Sequence, residues 1–169
     1  MANVIKEQKI VDTNKRALIK YVATLDTAIA NTMLVDASQL KFALNTNGKI
    51  MSSNTNIKPL YRTTIKRIFG NAKANAYIKL TWQGSNTADI VAITNGNFDY
   101  DFQSMGDGAT IANSDAASNG NILITVVTPS SADALTLFID LRKDARDYDQ
   151  GQTSDPIAFN KGSASLWIN

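Results

Sequence analysis

The chain has 169 residues, of which 44% are hydrophobic and 19% charged, and its formal net charge is +2 at pH 7. That length is enough for one domain with its own core, and the composition is typical of a folded globular protein. Because the chain has no cysteine and no histidine, disulfides, thiolate chemistry, Ser–His triads and most transition-metal sites are excluded. We therefore expect no cofactor and a role without catalysis.

The predicted elements of the first third are short strands and turns. Residues 4–11 form either an arm or a first strand, and residues 17–24 form a central strand because both of their faces are partly apolar. Residues 26–32 are predicted to be a loop. Asp36 is the expected cap of one helical turn that ends at Leu40, and a short strand follows at residues 41–44.

Alternation of apolar and polar side chains marks the middle of the chain. Residues 76–82 place Ile78, Leu80 and Trp82 on one face, and residues 97–102 repeat the pattern with aromatic side chains. Successive side chains of a strand point to opposite faces. Each segment therefore has one face to bury, and we expect Trp82 to lie in the core.

The connections around these strands are also predicted from turn residues. Residues 58–69 form a long strand that Gly70 and Asn71 are expected to break. Residues 89–94 and 97–102 flank the pair Asn95-Gly96. An Asn-Gly pair between two alternating runs is the strongest short-range hairpin signal, so these two segments are predicted to form a hairpin.

The last strands complete an all-β prediction. A loop over residues 103–119 is followed by strands at residues 122–128 and 134–142. Antiparallel strands joined by turns predict a single antiparallel β-sandwich or jelly-roll-like domain over residues 13–143. Extended N- and C-terminal arms are predicted on either side, over residues 1–12 and 144–169.

The C-terminal arm changes from strand pattern to tail pattern. Residues 143–149 are densely charged and are interpreted as a solvated segment with exposed ion pairs, rather than as a catalytic carboxylate pair. Beyond a polar stretch come the large apolar residues Ile157, Phe159, Leu166, Trp167 and Ile168. A terminal tryptophan is usually buried, so we expect it either on its own sheet or in a groove of another subunit.

Two clusters of charged residues are candidate binding sites. Asp99, Asp101 and Asp107 offer oxygen ligands for calcium, but they lack the ligand order of an EF-hand, and a solvated strand face is favoured. No metal site is therefore predicted.

The strongest basic cluster surrounds Tyr61 and Phe69. On a strand, adjacent residues of this cluster face opposite sides and make no single stripe for phosphates. Nucleic-acid binding is thus not expected, and contact with an acidic neighbouring protein is the favoured use of the charges. The cluster consists of Lys58, Arg62, Lys66 and Arg67.

Much of the chain, over residues 9–150, resembles small virion proteins of tailed phages, especially those of marine and cyanobacterial hosts. The resemblance lies in the sequences of strand and turn segments rather than in catalytic motifs. The segment 151–169 is outside the region of resemblance. Its clearest pieces are residues 9–12, 19–22, 35–36, 64–68, 76–82, 96–102 and 137–144. The resemblance implies a small structural component of the particle.

The function expected from this resemblance is that of a capsid decoration or cement protein, located in the virion and assembled in the host cytoplasm. Its expected partners are the major capsid protein and further copies of itself as a homo-oligomer. No stretch approaches the roughly 20 apolar residues of a membrane helix, and no secretory apolar core begins the chain, so no membrane partner is expected. The predicted partner-binding residues are Val4, Ile5, Phe159, Leu166, Trp167 and Ile168.

Three other functions remain open at this point. A neck or tail component would use the same arms to close a ring. A host-glycan-binding module would need exposed aromatic side chains, with Tyr61, Trp82 and Tyr100 as the candidates. A polysaccharide-degrading enzyme is the least favoured, because no convincing carboxylate pair is present.

Overall fold

The computed structural model describes residues 3–73, 77–84, 88–104, 111–112, 118–127 and 133–151. Its only helical element in these residues is a 3-10 turn at Ala37–Gln39. The described ranges contain ten strands, which are β1 (Val4–Asp12), β2 (Arg16–Leu25), β3 (Ile29–Val35), β4 (Thr63–Lys73), β5 (Tyr77–Trp82), β6 (Ala88–Ile93), β7 (Gly96–Asp101), β8 (Ile111–Ala112), β9 (Ile122–Val127) and β10 (Asp133–Lys143).

These strands form two antiparallel sheets. The first sheet has the order β1-β2-β10-β4-β7, with β8 pairing alongside β7 on β4, and the second has the order β3-β9-β5-β6. The two sheets pack face to face, which confirms the predicted all-β sandwich. No helix in the part of the chain described here has the length and apolarity needed to cross a membrane.

The core lies between the sheets and follows the period of two. On β2, residues from Ala17 to Leu25 alternate between buried and more exposed positions. On β5, Ile78, Leu80 and Trp82 are at most 2% exposed, which confirms the predicted core position of the tryptophan. Apolar side chains on the inward faces of strands such as β2, β5 and β10 thus supply the main stabilising burial.

Several local predictions about strands were wrong. Strand β4 begins at Thr63 and not at residue 58, and β8 lies within the predicted loop 103–119. Residues 29–32 belong to β3 instead of the predicted loop. Strand β4 does not break at Gly70 but continues to Lys73. A Cβ atom on Gly70 would come within 2.0 Å of the carbonyl oxygen of Thr136, so the glycine permits close approach of β10 rather than a turn.

The predicted hairpin at Asn95-Gly96 was also wrong. Strand β6 pairs with β5 in the second sheet, whereas β7 pairs with β4 in the first. Gly96, with a φ of 116°, lies where the chain passes from one sheet to the other. The Asn95-Gly96 pair therefore connects β6 in the second sheet to β7 in the first, rather than joining two neighbouring strands of one sheet.

Both predicted arms include residues that pack on the sandwich. Residues 4–12 are an edge strand paired with β2, which is the first-strand alternative. At the other end, Asp147 and Tyr148 are at most 2% exposed. The packed part of the chain thus extends past the predicted domain boundary at residue 143. The helical turn capped by Asp36 is confirmed, since its carboxylate accepts a hydrogen bond from the backbone N–H of Ser38 at 3.0 Å.

Candidate interaction surfaces at one end of the sandwich

The segment after β10, residues 144–151, is bound tightly to the sandwich and is called here the C-terminal anchor. Its central residue is Asp147, whose side chain is 3% exposed. The Asp147 carboxylate accepts hydrogen bonds from the backbone N–H and the guanidinium of Arg62, each at 2.9 Å. The ammonium of Lys58 donates to the same carboxylate at 3.2 Å. Two basic residues before β4 therefore fix the middle of the anchor.

Tyr148 gives the anchor an apolar attachment. The residue is fully buried, and its ring lies 5.8 Å from that of Tyr61 in a tilted arrangement. Its hydroxyl donates a hydrogen bond to the carbonyl oxygen of Ala37 at 2.8 Å. Burial raises the pKa of this phenol well above its ordinary value, because an ionised oxygen would be poorly solvated there. The anchor is thus held by a buried aromatic ring as well as by ion pairs.

Lys143, the last residue of β10, is a buried cation beside the anchor. Its ammonium contacts the carboxylate of Asp12 and donates to the carbonyl oxygens of Thr13 at 2.7 Å and Lys41 at 2.9 Å. Neither Lys143 nor Asp12 has a side chain more than 3% exposed. Desolvation lowers the pKa of Lys143, and the neighbouring Asp12 opposes that change.

These contacts correct the interpretation of residues 143–149 as a solvated charged segment. Lys143 and Asp147 are both 2% exposed. Asp144 and Arg146 do form an exposed pair, and the hydrogen bond from Arg146 lowers the pKa of Asp144 to about 2. The buried charges of Lys143 and Asp147 each contact an oppositely charged side chain from another segment of the chain. They hold those segments together, because a buried charge is stable only when it has such a partner.

Backbone hydrogen bonds complete the attachment. The N–H of Lys143 donates to the carbonyl of Lys15 at 2.9 Å, and that of Asp144 donates to the carbonyl of Arg62 at 3.1 Å. At the end of the anchor, the Gln150 amide donates to the carbonyl of Asn14 at 2.7 Å. Residues 152–169 therefore continue from a point whose position on the sandwich is fixed.

A groove of about 520 Å³ opens beside the anchor and is called here the basic groove. Three cationic side chains, those of Lys15, Arg62 and Arg142, contribute to it, together with the buried Lys143. Among the described residues, the only carboxylate of its lining is that of Asp144, which is paired with Arg146. The remaining lining residues are Thr63, Thr64, Ala145 and Gln150.

The outer face of the first sheet carries a stack of aromatic and cationic groups. Phe69 on β4 and Phe138 on β10 are directly opposite each other, with ring centroids 4.7 Å apart and planes 3° from parallel. The Arg67 guanidinium lies 4.8 Å from the Phe69 centroid, and the Lys20 ammonium lies 5.7 Å from that of Phe138. Such contacts stabilise the face through cation–π attraction. Sequence reasoning missed this stack because its members come from three strands.

The predicted basic cluster is divided by the fold. Lys58 and Arg62 pair with Asp147, while Arg67 donates from Nε to Asp99 at 2.8 Å. This leaves little of the cluster for an acidic neighbour. Arg142, which sequence reasoning passed over, is an exposed cation at the basic groove.

Two of the three candidate calcium ligands, Asp99 and Asp101, are described, and each accepts a hydrogen bond from another residue. Asp99 is engaged by Arg67, and Asp101 accepts a hydrogen bond from the backbone N–H of Gln103 at 3.0 Å. Asp107 lies outside the described residues. Within the described ranges, no group of three carboxylates is placed to hold a metal ion.

The aromatic residues considered for glycan binding are mostly unavailable. Tyr61 is 1% exposed and donates its hydroxyl to the carbonyl of Leu44, and Trp82 is 2% exposed. The Trp82 Nε1 atom is buried without a hydrogen-bond partner among the residues described. Tyr100 is only half-buried. Stacking of a sugar on Tyr61 or Trp82 is therefore excluded by this arrangement.

The predicted partner-binding residues fall into two groups. Val4 is 47% exposed at the start of the edge strand β1, whereas Ile5 packs partly against the core. The other four predicted residues, Phe159, Leu166, Trp167 and Ile168, lie outside the described residues. Comparison with protein-family models, with curated proteins and with solved structures gave no match to this chain.

Proposed function

We propose that this chain is a structural protein of a tailed-phage virion that binds the assembled capsid as a decoration or cement protein. The resemblance of residues 9–150 to small virion proteins motivates the proposal. The observation that carries it is the C-terminal anchor, in which Asp147 and Tyr148 fix the position of the chain immediately before residues 152–169. A tail whose attachment point is fixed on the domain loses less conformational entropy when it binds a neighbouring subunit than a tail whose attachment point is itself mobile.

The mechanism is stabilisation by linkage. A protein that binds assembled subunits but not dissociated ones shifts the equilibrium toward the assembled shell. In this account the sandwich sits on the shell, and the apolar residues of the tail, including Trp167, occupy a groove of the major capsid protein. Val4, exposed on the edge strand β1, supplies a second apolar contact. No chemical step is required.

The experiment compares the full chain with a variant that lacks residues 152–169. Both are mixed with purified shells stripped of the protein, and binding is measured by co-sedimentation. We expect the truncated variant to keep its thermal unfolding transition, because Tyr148 and the rest of the anchor remain, and to lose shell binding. Saturation of shells by the truncated variant would refute the role of the tail.

A second variant separates the tail's apolar contacts from its length. Trp167→Ala together with Ile168→Ala keeps the chain length and removes two apolar side chains. We expect shell binding to weaken at least about tenfold, as for truncation of a buried aromatic anchor. Unchanged binding by this variant would contradict the proposed contact. The matched control is Ser163→Ala, which should leave binding unchanged.

A further inference from the structure

We propose that the basic groove binds the carboxylates of an acidic segment on a partner protein. This inference deepens the proposed function and rests on it for the partner, which is taken to be a neighbouring shell subunit. The groove lies beside Gln150, at the end of the C-terminal anchor. A subunit that is held by the tail would therefore lie next to the groove.

Arg142 is the strongest reason for the proposal. The other four arginines of the chain are each within ion-pair distance of a carboxylate, the pairs being Arg16–Asp140, Arg62–Asp147, Arg67–Asp99 and Arg146–Asp144. Arg142 has no carboxylate partner in the described part of the chain, although it is exposed at the groove. An arginine fork without a partner is suited to bidentate binding of a carboxylate.

Two further cations point to the same place. Lys15 is exposed in the turn between β1 and β2, and its ammonium likewise has no acidic partner within the described ranges. One guanidinium N–H of Arg62 donates a hydrogen bond to the Asp147 carboxylate, and the Arg62 side chain remains 40% exposed. The groove thus presents Arg62, which is partly engaged by Asp147, and two cationic side chains that have no acidic partner among the described residues.

The groove is preorganised because backbone hydrogen bonds join the segments that line it. The N–H of Lys143, at the end of β10, donates to the Lys15 carbonyl, and the N–H of the next residue, Asp144, donates to the Arg62 carbonyl. These bonds join the β1–β2 turn, the start of β4 and the end of β10. Cationic side chains on such a rigid base lose less entropy on binding than those on a mobile loop.

The shape and surroundings favour an acidic peptide over a nucleic acid. A groove of about 520 Å³ accommodates a few side chains, whereas nucleic-acid binding requires cations that follow a phosphate backbone. The described lining of the groove contains no aromatic residue, and the rings of Tyr61 and Tyr148 are at most 1% exposed and cannot stack on bases.

The test uses the full chain without shells and hexaglutamate as the probe. Binding is followed by shifts of backbone amide resonances in NMR, which also locate the site. We expect the amides of Lys15, Thr64 and Arg142 to shift, and the affinity to fall as salt is raised to about 0.15 M. In the double variant Lys15→Gln/Arg142→Gln the affinity should fall at least about tenfold.

The matched control removes the same charge elsewhere. Lys6 and Lys73 are exposed on the first sheet toward the end opposite Arg142. The variant Lys6→Gln/Lys73→Gln should change the affinity by less than about twofold. Thermal unfolding of both double variants checks that each remains folded.

Three results would overturn the inference. They are an absence of hexaglutamate binding by the unmodified chain, an equal loss of affinity in the two double variants, and tighter groove-dependent binding of single-stranded oligothymidylate than of hexaglutamate. Because no shell is present, any of these results leaves the tail-truncation test of shell binding standing. Conversely, groove binding by a chain that fails to bind shells would refute the proposed function alone.

Discussion

The Asp147 carboxylate accepts two hydrogen bonds from Arg62, one from the backbone N–H and one from the guanidinium, each at 2.9 Å. Arg62 immediately precedes β4, a strand paired with β10 along most of its length. The contact therefore closes the chain segment after β10 back onto the neighbouring strand. This closure turns residues 144–151 from a charged tail into part of the folded domain.

The first prediction concerns this carboxylate. Asp147→Asn removes the charge that Arg62 and Lys58 face, and it should lower the free energy of unfolding by about 2 kcal/mol, because both cations retain partial access to water. Urea denaturation measures the change. Asp149→Asn removes the same charge two positions later, where the side chain only caps the N–H of Gly151, and it should cost less than about 0.5 kcal/mol. Equal effects of the two variants would contradict the assignment.

The second prediction concerns the buried pair of Lys143 and Asp12. Lys143→Met should destabilise the fold by about 3 kcal/mol, because it leaves a buried carboxylate without its cation. A double-mutant cycle with Asp12→Asn should give a coupling energy of about 1 to 3 kcal/mol. Lys41→Met, at an exposed side chain nearby, serves as the control and should be nearly neutral. Additive effects of the two buried substitutions would show that the pair is not coupled.

The third prediction compares two glycines with positive φ. At Gly120, a Cβ atom would lie 1.9 Å from the carbonyl oxygen of Tyr61, whereas at Gly96 no atom lies within 4 Å. Gly96→Ala should therefore cost about 1 kcal/mol from backbone strain alone. Gly120→Ala should cost clearly more, because the Tyr61 backbone must also move. Thermal or urea unfolding ranks the variants, and the reverse order would disprove the close approach at Gly120.

The fourth prediction concerns alkaline pH. Burial raises the pKa of the Tyr21 and Tyr148 phenols above the ordinary value of 10.0. Their contribution to stability is therefore complete below pH 10 and is lost as the pH rises further. Lys143 acts in the opposite direction, because its pKa is lowered in the folded state and its contribution to stability rises as the pH approaches 10.5.

Phenolate absorbance separates these effects better than a stability curve. We expect the signals of Tyr21 and Tyr148 to appear only together with loss of the far-ultraviolet circular dichroism of the folded sheets. Tyr148→Phe should reduce that late signal by one phenol. Ionisation of all tyrosines before any loss of structure would contradict the buried hydrogen bonds to Leu34 and Ala37.

The period of two in the sequence was sufficient to predict much of the sandwich. It predicted β5 with Trp82 in the core, and the strand at residues 134–142 that corresponds to β10, because both depend only on the alternation of apolar side chains within the strand. The inward phase of β10 also continues from Leu141 to Lys143. The spacing of two from Leu141 indicated that Lys143 points inward, but the charge of the lysine favoured an exposed position.

Features that depend on which strands meet could not be predicted locally. Asn95-Gly96 has the same turn chemistry whether the next strand returns to the same sheet or crosses to the other. From the sequence alone, Gly70 predicts the end of a strand. Its actual role depends on the close approach of the Thr136 carbonyl, which only the structure shows. The Phe69–Phe138 stack and the Arg62–Asp147 contact likewise join residues that are distant in sequence.

The most direct test of the central claim is cryo-electron microscopy of intact virions, with the sandwich fitted into averaged shell density. The proposed function predicts the 18.3 kDa chain at symmetry-repeated positions on the capsid, with the segment after Gly151 continuing onto a neighbouring subunit. Density confined to a ring at the portal vertex or along the tail, or absent from the particle, would contradict the decoration role.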